Sequence, residues 1–91
     1  MFPSHDRGTF HTIDTESNAA TDDLETINGG TDGKIIVLKP VSGVRDVVMK
    51  DNIGNMRLAG DFTMDSNQDT ITLIYDSSLS FWLEISRTDN A

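Results

Sequence analysis

The feature that most constrains this chain is a pair of alternating apolar runs joined by a short polar loop. It extends from Asp69 to Arg87, D-T-I-T-L-I-Y-D-S-S-L-S-F-W-L-E-I-S-R. A period of two belongs to a β-strand, where successive side chains point to opposite faces. In the first run Ile71, Leu73 and Tyr75 share one face, with Thr70, Thr72 and Ile74 on the other. In the second run Phe81, Leu83 and Ile85 share a face, opposite Trp82, Glu84 and Ser86. Between them, Asp76-Ser77-Ser78-Leu79-Ser80 is turn-forming, because Asp and Ser bond their own backbone. With those residues as the loop, a hairpin pairs Tyr75 with Phe81, Leu73 with Leu83 and Ile71 with Ile85. That ladder belongs to a core. The opposite face pairs Thr70 with Ser86, Thr72 with Glu84 and Ile74 with Trp82. Its apolar end either lies under a loop of its own subunit or meets a subunit or partner. We carry Ile74 and Trp82 forward as interface residues.

The rest of the chain divides at about residue 20. Residues 1–20 form an N-terminal arm with one short strand, Thr9 to Ile13, and residues 21–91 form a single β-domain. In the arm, Met1 and Phe2 are apolar and suited to docking on a neighbour; simple fraying is the other reading. Asp22 and Glu25 have the spacing of a capping box, which predicts one helical turn over Thr21–Ile27 with Leu24 and Ile27 on one side. Glycine turns follow at Asn28-Gly29-Gly30 and Thr31-Asp32-Gly33. Lys34 to Lys39 is a strand apolar on both faces and therefore covered on both, by a second sheet or by another subunit. We assign Ile35 and Val37 to the core, and Ile36 and Leu38 to an interface. Val44–Lys50, Met56–Ala59 and Asp61–Met64 are further strands, with Leu58, Phe62 and Met64 inward. Short strands at near-regular spacing predict an all-β protein, a small antiparallel β-sandwich or jelly-roll-like barrel with a C-terminal hairpin. A jelly roll places successive strands in different sheets, which competes with that hairpin.

Ninety-one residues make one thin-cored domain, for which oligomerisation is a common remedy. The net charge of −8 disfavours binding to a phosphate backbone. No stretch approaches the ~20 apolar residues of a membrane helix, and the N-terminus has no apolar core for a signal peptide. Cysteine is absent, which suits folding in a reducing cytosol and removes thiol chemistry.

Catalytic chemistry finds no purchase in the pattern. His5 and His11 lie in the weakly patterned arm, and neither is placed as the rigidly held base a hydrolytic triad needs. Ser77, Ser78 and Ser80 sit where turns use serine. Two oxygen-rich runs, Asp61/Asp65/Asn67/Asp69 and Asp51/Asn52/Asn55, lack the spacing of a calcium loop and read as turns. One Trp is thin support for a glycan platform. Gly29-Gly30-x-x-Gly33 lacks the following Lys and helix of a phosphate loop. We expect no enzyme, cofactor or metal site.

Three runs carry a family resemblance: Asp22-Asp23-Leu24-Glu25-Thr26-Ile27-Asn28-Gly29-Gly30-x-Asp32-Gly33-x-Ile35-x-x-Leu38, Val48-x-Lys50-Asp51-x-x-Gly54-Asn55-x-x-Leu58-x-Gly60-Asp61-Phe62, and the hairpin Thr70 to Arg87. Together they resemble the small β-modules at the ends of tailed-phage tail-fibre and head-fibre proteins, and stand-alone capsid decoration (cement) proteins. The resemblance covers roughly Asp22 to Asp89. One departure is the loop before the Trp, often glycine-containing in such modules and here Ser77-Ser78-Leu79-Ser80. The resemblance implies a trimeric, non-enzymatic virion protein. The chain begins with Met, ends soon after the module and has no fibre shaft, so the expectation is a complete decoration protein. It would be made in the host cytoplasm and bind the outer capsid surface, with itself and the major capsid protein as partners. The alternative is a receptor- or glycan-binding attachment module of a tail or head fibre.

Overall fold

The computed structural model describes residues 10–15, 17 and 19–90. Eight strands follow one another: β1 (Phe10–Ile13), β2 (Thr21–Leu24), β3 (Ile35–Pro40), β4 (Asp46–Met49), β5 (Met56–Arg57), β6 (Phe62–Met64), β7 (Thr70–Asp76) and β8 (Phe81–Thr88). There is no α-helix among the described residues. One sheet has five strands in the order β1-β3-β7-β8-β5, and the other has three in the order β2-β4-β6. The chain therefore changes sheet at every connection from β1 to β7, and only β7–β8 is a hairpin. The crossing pattern and the terminal hairpin coexist.

This winding explains why the sheets are mixed and not antiparallel. β1 pairs parallel with β3, and β2 with β4. Parallel neighbours need a crossover, and here the crossover is a strand of the opposite sheet. β5 also runs parallel to β8, while β3–β7, β4–β6 and β7–β8 are antiparallel. One buried cluster takes side chains from both sheets: Ile13, Ile36, Leu38, Met56, Ile71, Leu73 and Trp82 from the larger, Leu24, Val47, Met49, Phe62 and Met64 from the smaller, and Ile27 between strands. Leu58 and Tyr75 pack against it.

The expected helical turn is strand β2. Asp46 N–H donates to the Ala20 carbonyl, and Lys50 N–H to that of Leu24. Pairing with β4 satisfies a backbone that a lone helical turn leaves largely unbonded. Asp22 accepts from the adjacent Asp23 N–H and caps no helix.

The hairpin register departs from expectation in two places. Asp76 is a paired strand residue opposite Phe81, so the loop is Ser77–Ser80 and Tyr75 faces Trp82. The Asp76 carboxylate accepts from the N–H groups of Ser78 and Leu79, and the Ser80 N–H returns to the Asp76 carbonyl at 2.8 Å. A loop shorter by one residue turns β8 over. Trp82 goes inside, and Phe81 and Leu83 go outside. Farther along, Leu73 pairs with Glu84 but Thr72 with Ser86, leaving Ile85 in a bulge. The bulge brings Arg87 to the same side as Glu84. Among the residues assigned to the core, Phe62, Ile71 and Leu73 are buried, and Leu58 and Tyr75 are partly buried. Ile35 and Ile85 are exposed, at 42% and 52%, while Val37, Phe81 and Leu83 are half-buried on the outer face.

Candidate interaction surface

Of the residues expected at an interface, only Ile74 is described on the surface. Ile36, Leu38 and Trp82 lie in the core, because β3 presents its even-numbered positions inward beside Ile71 and Leu73 of β7. Alternation marks two faces of a strand that is apolar throughout, but which one is inner depends on its neighbours. Met1 and Phe2 lie outside the described residues.

The two oxygen-rich runs serve the turns. Asp69 is fully buried; its Oδ2 accepts from the N–H groups of Asp65 and Ser66, and its Oδ1 from that of Asn90. Carboxylate oxygens of Asp65, Asp69 and Asp89 lie within 4.8 Å of one another, with Asp65 and Asp89 exposed. Asp51 accepts from Leu58 N–H, and Asp61 from Asp51 N–H and Lys50 Nζ. Asn55 clasps Ile27, accepting from its N–H at 2.9 Å and donating to its carbonyl at 2.7 Å. His11 is buried on the inner side of β1, and His5 lies outside the described residues.

The outer face of the five-stranded sheet is the unusual surface. Register places Ile35, Ile74, Leu83 and Arg57 in one row across β3, β7, β8 and β5. In the next row Phe10 adjoins Val37, and Val37 adjoins Thr72. Phe10 is 46% exposed. At the loop end the Arg57 guanidinium stacks on the Phe81 ring, 3.6 Å from its centroid, a favourable cation–π contact. Large apolar side chains contiguous over adjacent strands mark an interaction surface, where single exposed ones do not.

Electrostatics separates this face from the rest. Arg45 is paired with Asp14, Lys50 with Asp61 and Arg87 with Glu84. The cations on the outer face are Lys39 and Arg57, and neither has a salt-bridge partner among the described residues. The carboxylate of this face is Asp76, at the loop end opposite Phe81, bonded to the N–H groups of Ser78 and Leu79. On the far side of the molecule, the outer positions of the three-stranded sheet carry Asp23 and Asp46. There Lys50 is held protonated to higher pH, first by its bond to Asp61 and further by the charges of Asp61, Asp23 and Glu25. One broad face is thus mainly apolar, with two cations and a loop-end Asp76, and the other is acidic.

Phe81 and Leu83 carry the period-two alternation of β8, and a hairpin loop one residue shorter than its sequence predicts turns them outward. Arg57 and Phe10 had no signal of their own, since both lie in short strands whose place in the sheet comes from distant partners. No protein-family model matches this chain, and no curated protein matches it.

Proposed function

We propose that this chain is a structural protein of a tailed-phage virion, a capsid decoration protein. It binds the outer shell as a homotrimer and stabilises contacts between major capsid subunits. The observation that carries this reading is the apolar outer face of the five-stranded sheet, with Ile35, Ile74 and Leu83 in one row. It suits a protein whose work is to be buried against others. The resemblance of the three glycine-punctuated runs supports the choice of a virion module. Their Gly29, Gly33, Gly54 and Gly60 all take positive φ, so the glycine order reflects backbone geometry and not only composition.

Decoration works by added buried area: contacts that span capsid subunits stabilise the assembled shell relative to its parts. Virions lacking the protein should lose infectivity faster on heating and osmotic shock. Equal resistance overturns the cement role. Imaging of intact particles gives the copy number. Hundreds of copies over the shell support decoration, and a few copies at the tail or one vertex support the attachment module of a fibre.

A further inference from the structure

We infer that the outer face of the five-stranded sheet is where copies of this chain bind one another. The inference takes self-association from the reading above and assigns it a surface and a chemistry.

Charge selects a second copy as the occupant. A protein of net charge −8 repels itself. Two copies meeting through the three-stranded sheet would bring Asp23 and Asp46 against like charges. The row Ile35–Ile74–Leu83 contains no carboxylate, and neither does the row Phe10–Val37–Thr72 on one side of it; on the other side Asp76 lies at the loop end, its carboxylate engaged by Ser78 and Leu79. Copies meeting along these two rows bury apolar surface without that repulsion, and Asp76 stays at the rim.

The placement of the two cations also permits it. Arg57 ends the Ile35 row at the β5 edge, whereas Lys39 lies four positions beyond Ile35 on β3. Four strand residues span about 13 Å, more than the ~8 Å over which salt screens charges at physiological strength. In a cyclic contact with strands along the axis, the β8–β5 half of one copy meets the β1–β3 half of the next. Arg57 then approaches the Ile35 end of β3, about 13 Å along the strands from the next copy's Lys39.

Size sets the strength. Strands of four, six, seven, eight and two residues, about 4.8 Å apart with ~3.3 Å per residue, give a footprint of roughly 430 Å² per copy. Stable pairs bury about 800 Å² per partner, so this contact is weak and reversible. Association should appear between about 10 μM and 1 mM.

Sedimentation equilibrium of the full chain over that range tests the inference, beside the variant Ile74→Thr/Leu83→Thr. Threonine keeps strand propensity, and both positions lie outside the buried core. The wild type should associate with rising concentration, and the folded double variant should stay monomeric. A limiting mass of three chains supports the trimer as well as the face. A limit of two chains supports the face and removes the trimer. A wild type monomeric at 1 mM overturns the inference, as does a double variant that associates equally. Concentration-dependent methyl NMR of the wild type needs no variant. Shifts should move at Ile35, Ile74 and Leu83 and stay fixed at Val48, and the reverse overturns the assignment. If wild-type monomers bind isolated shells and the double variant does not, the face belongs to the shell protein and self-association is refuted. Virion stability is measured separately, so the cement role can fail while the face stands.

Discussion

The indole N–H of Trp82 donates to the main-chain carbonyl of Ile27 at 3.1 Å, joining residues 55 positions apart in the chain. The same carbonyl accepts from the Asn55 side-chain amide, and the main-chain N–H of Trp82 donates to the Asn55 main-chain carbonyl at 2.8 Å. Three segments thereby close one corner of the core, with the Tyr75 ring edge-on to the indole at 5.1 Å. Trp82→Phe should cost about 1–2 kcal/mol by losing the bond and some volume, and Trp82→Ala about 3–5 kcal/mol. Asn55→Ala should cost about 1–3 kcal/mol, since it leaves the Ile27 N–H without its acceptor and the Ile27 carbonyl with the Trp82 indole alone. Urea midpoints at unchanged slope measure this. A Trp82→Ala protein as stable as wild type would refute the buried placement.

Gly54 should be the least replaceable of the positive-φ glycines. It sits at φ 63°, and an added Cβ would drive into the Glu25 backbone and the Thr26 side chain. Gly33, at φ 80°, faces open space. Gly33→Ala should lose about 1–2 kcal/mol from the left-handed conformation alone. Gly54→Ala should lose clearly more, because backbone must also move. Thermal melting of the pair decides it, and equal losses would contradict the close approach.

Ser80 carries a left-handed backbone, φ 60°, at the end of the hairpin loop. L-residues other than glycine pay roughly 1–2 kcal/mol for that conformation, partly offset by the greater unfolded-state freedom of glycine. Ser80→Gly should therefore stabilise the protein by about 0.5–1 kcal/mol, a rise in Tm of several degrees. A fall in Tm would mean that the loop conformation is wrong.

Acid should weaken the corner built on the bulge. Glu84 accepts from Arg87 and from the Ala59 N–H, and Arg87 also donates to the carbonyls of Gly60 and Asp61. The Arg87 bond is the main reason the Glu84 carboxyl titrates below its ordinary range. A carboxyl depressed on folding adds stability that is complete above its unfolded pKa and is lost as pH falls through the folded one. The loss should set in below about pH 4–5. Asp14, Asp61 and Asp76 are lowered too and act in the same direction. Glu84→Gln should shrink the acid loss of Tm. An unchanged pH profile would remove Glu84 from the account.

Asp69 should prove a structural carboxylate and not a cation ligand. Its oxygens already bind the N–H groups of Asp65, Ser66 and Asn90. Asp69→Ala should destabilise by about 2–4 kcal/mol, since three N–H groups lose their acceptor. Tm should be the same with calcium and with chelator. A calcium-dependent rise would assign the Asp65–Asp69–Asp89 group to a metal.

Local pattern determined a good deal by itself. Period-two alternation marked most of the strands, and glycine, Asp and Asn marked the turns. The hairpin, its loop region and the inward Phe62, Met64, Ile71 and Leu73 all follow from short-range chemistry. Tertiary structure alone decided the rest. β2 is a strand because β4, more than twenty residues on, supplies its hydrogen-bond partners; in isolation Asp22 and Glu25 favour a helix start. Ile36 and Leu38 face inward, and not Ile35 and Val37, because a strand apolar on both sides has no preferred face until its neighbours choose one. Parity in β8 turned on one loop residue and one bulge, and both are set by hydrogen bonds made only once the hairpin is closed. Trp82 went to the core because an inward indole finds the Ile27 carbonyl, while the apolar surface was left to Ile35, Ile74, Phe81 and Leu83.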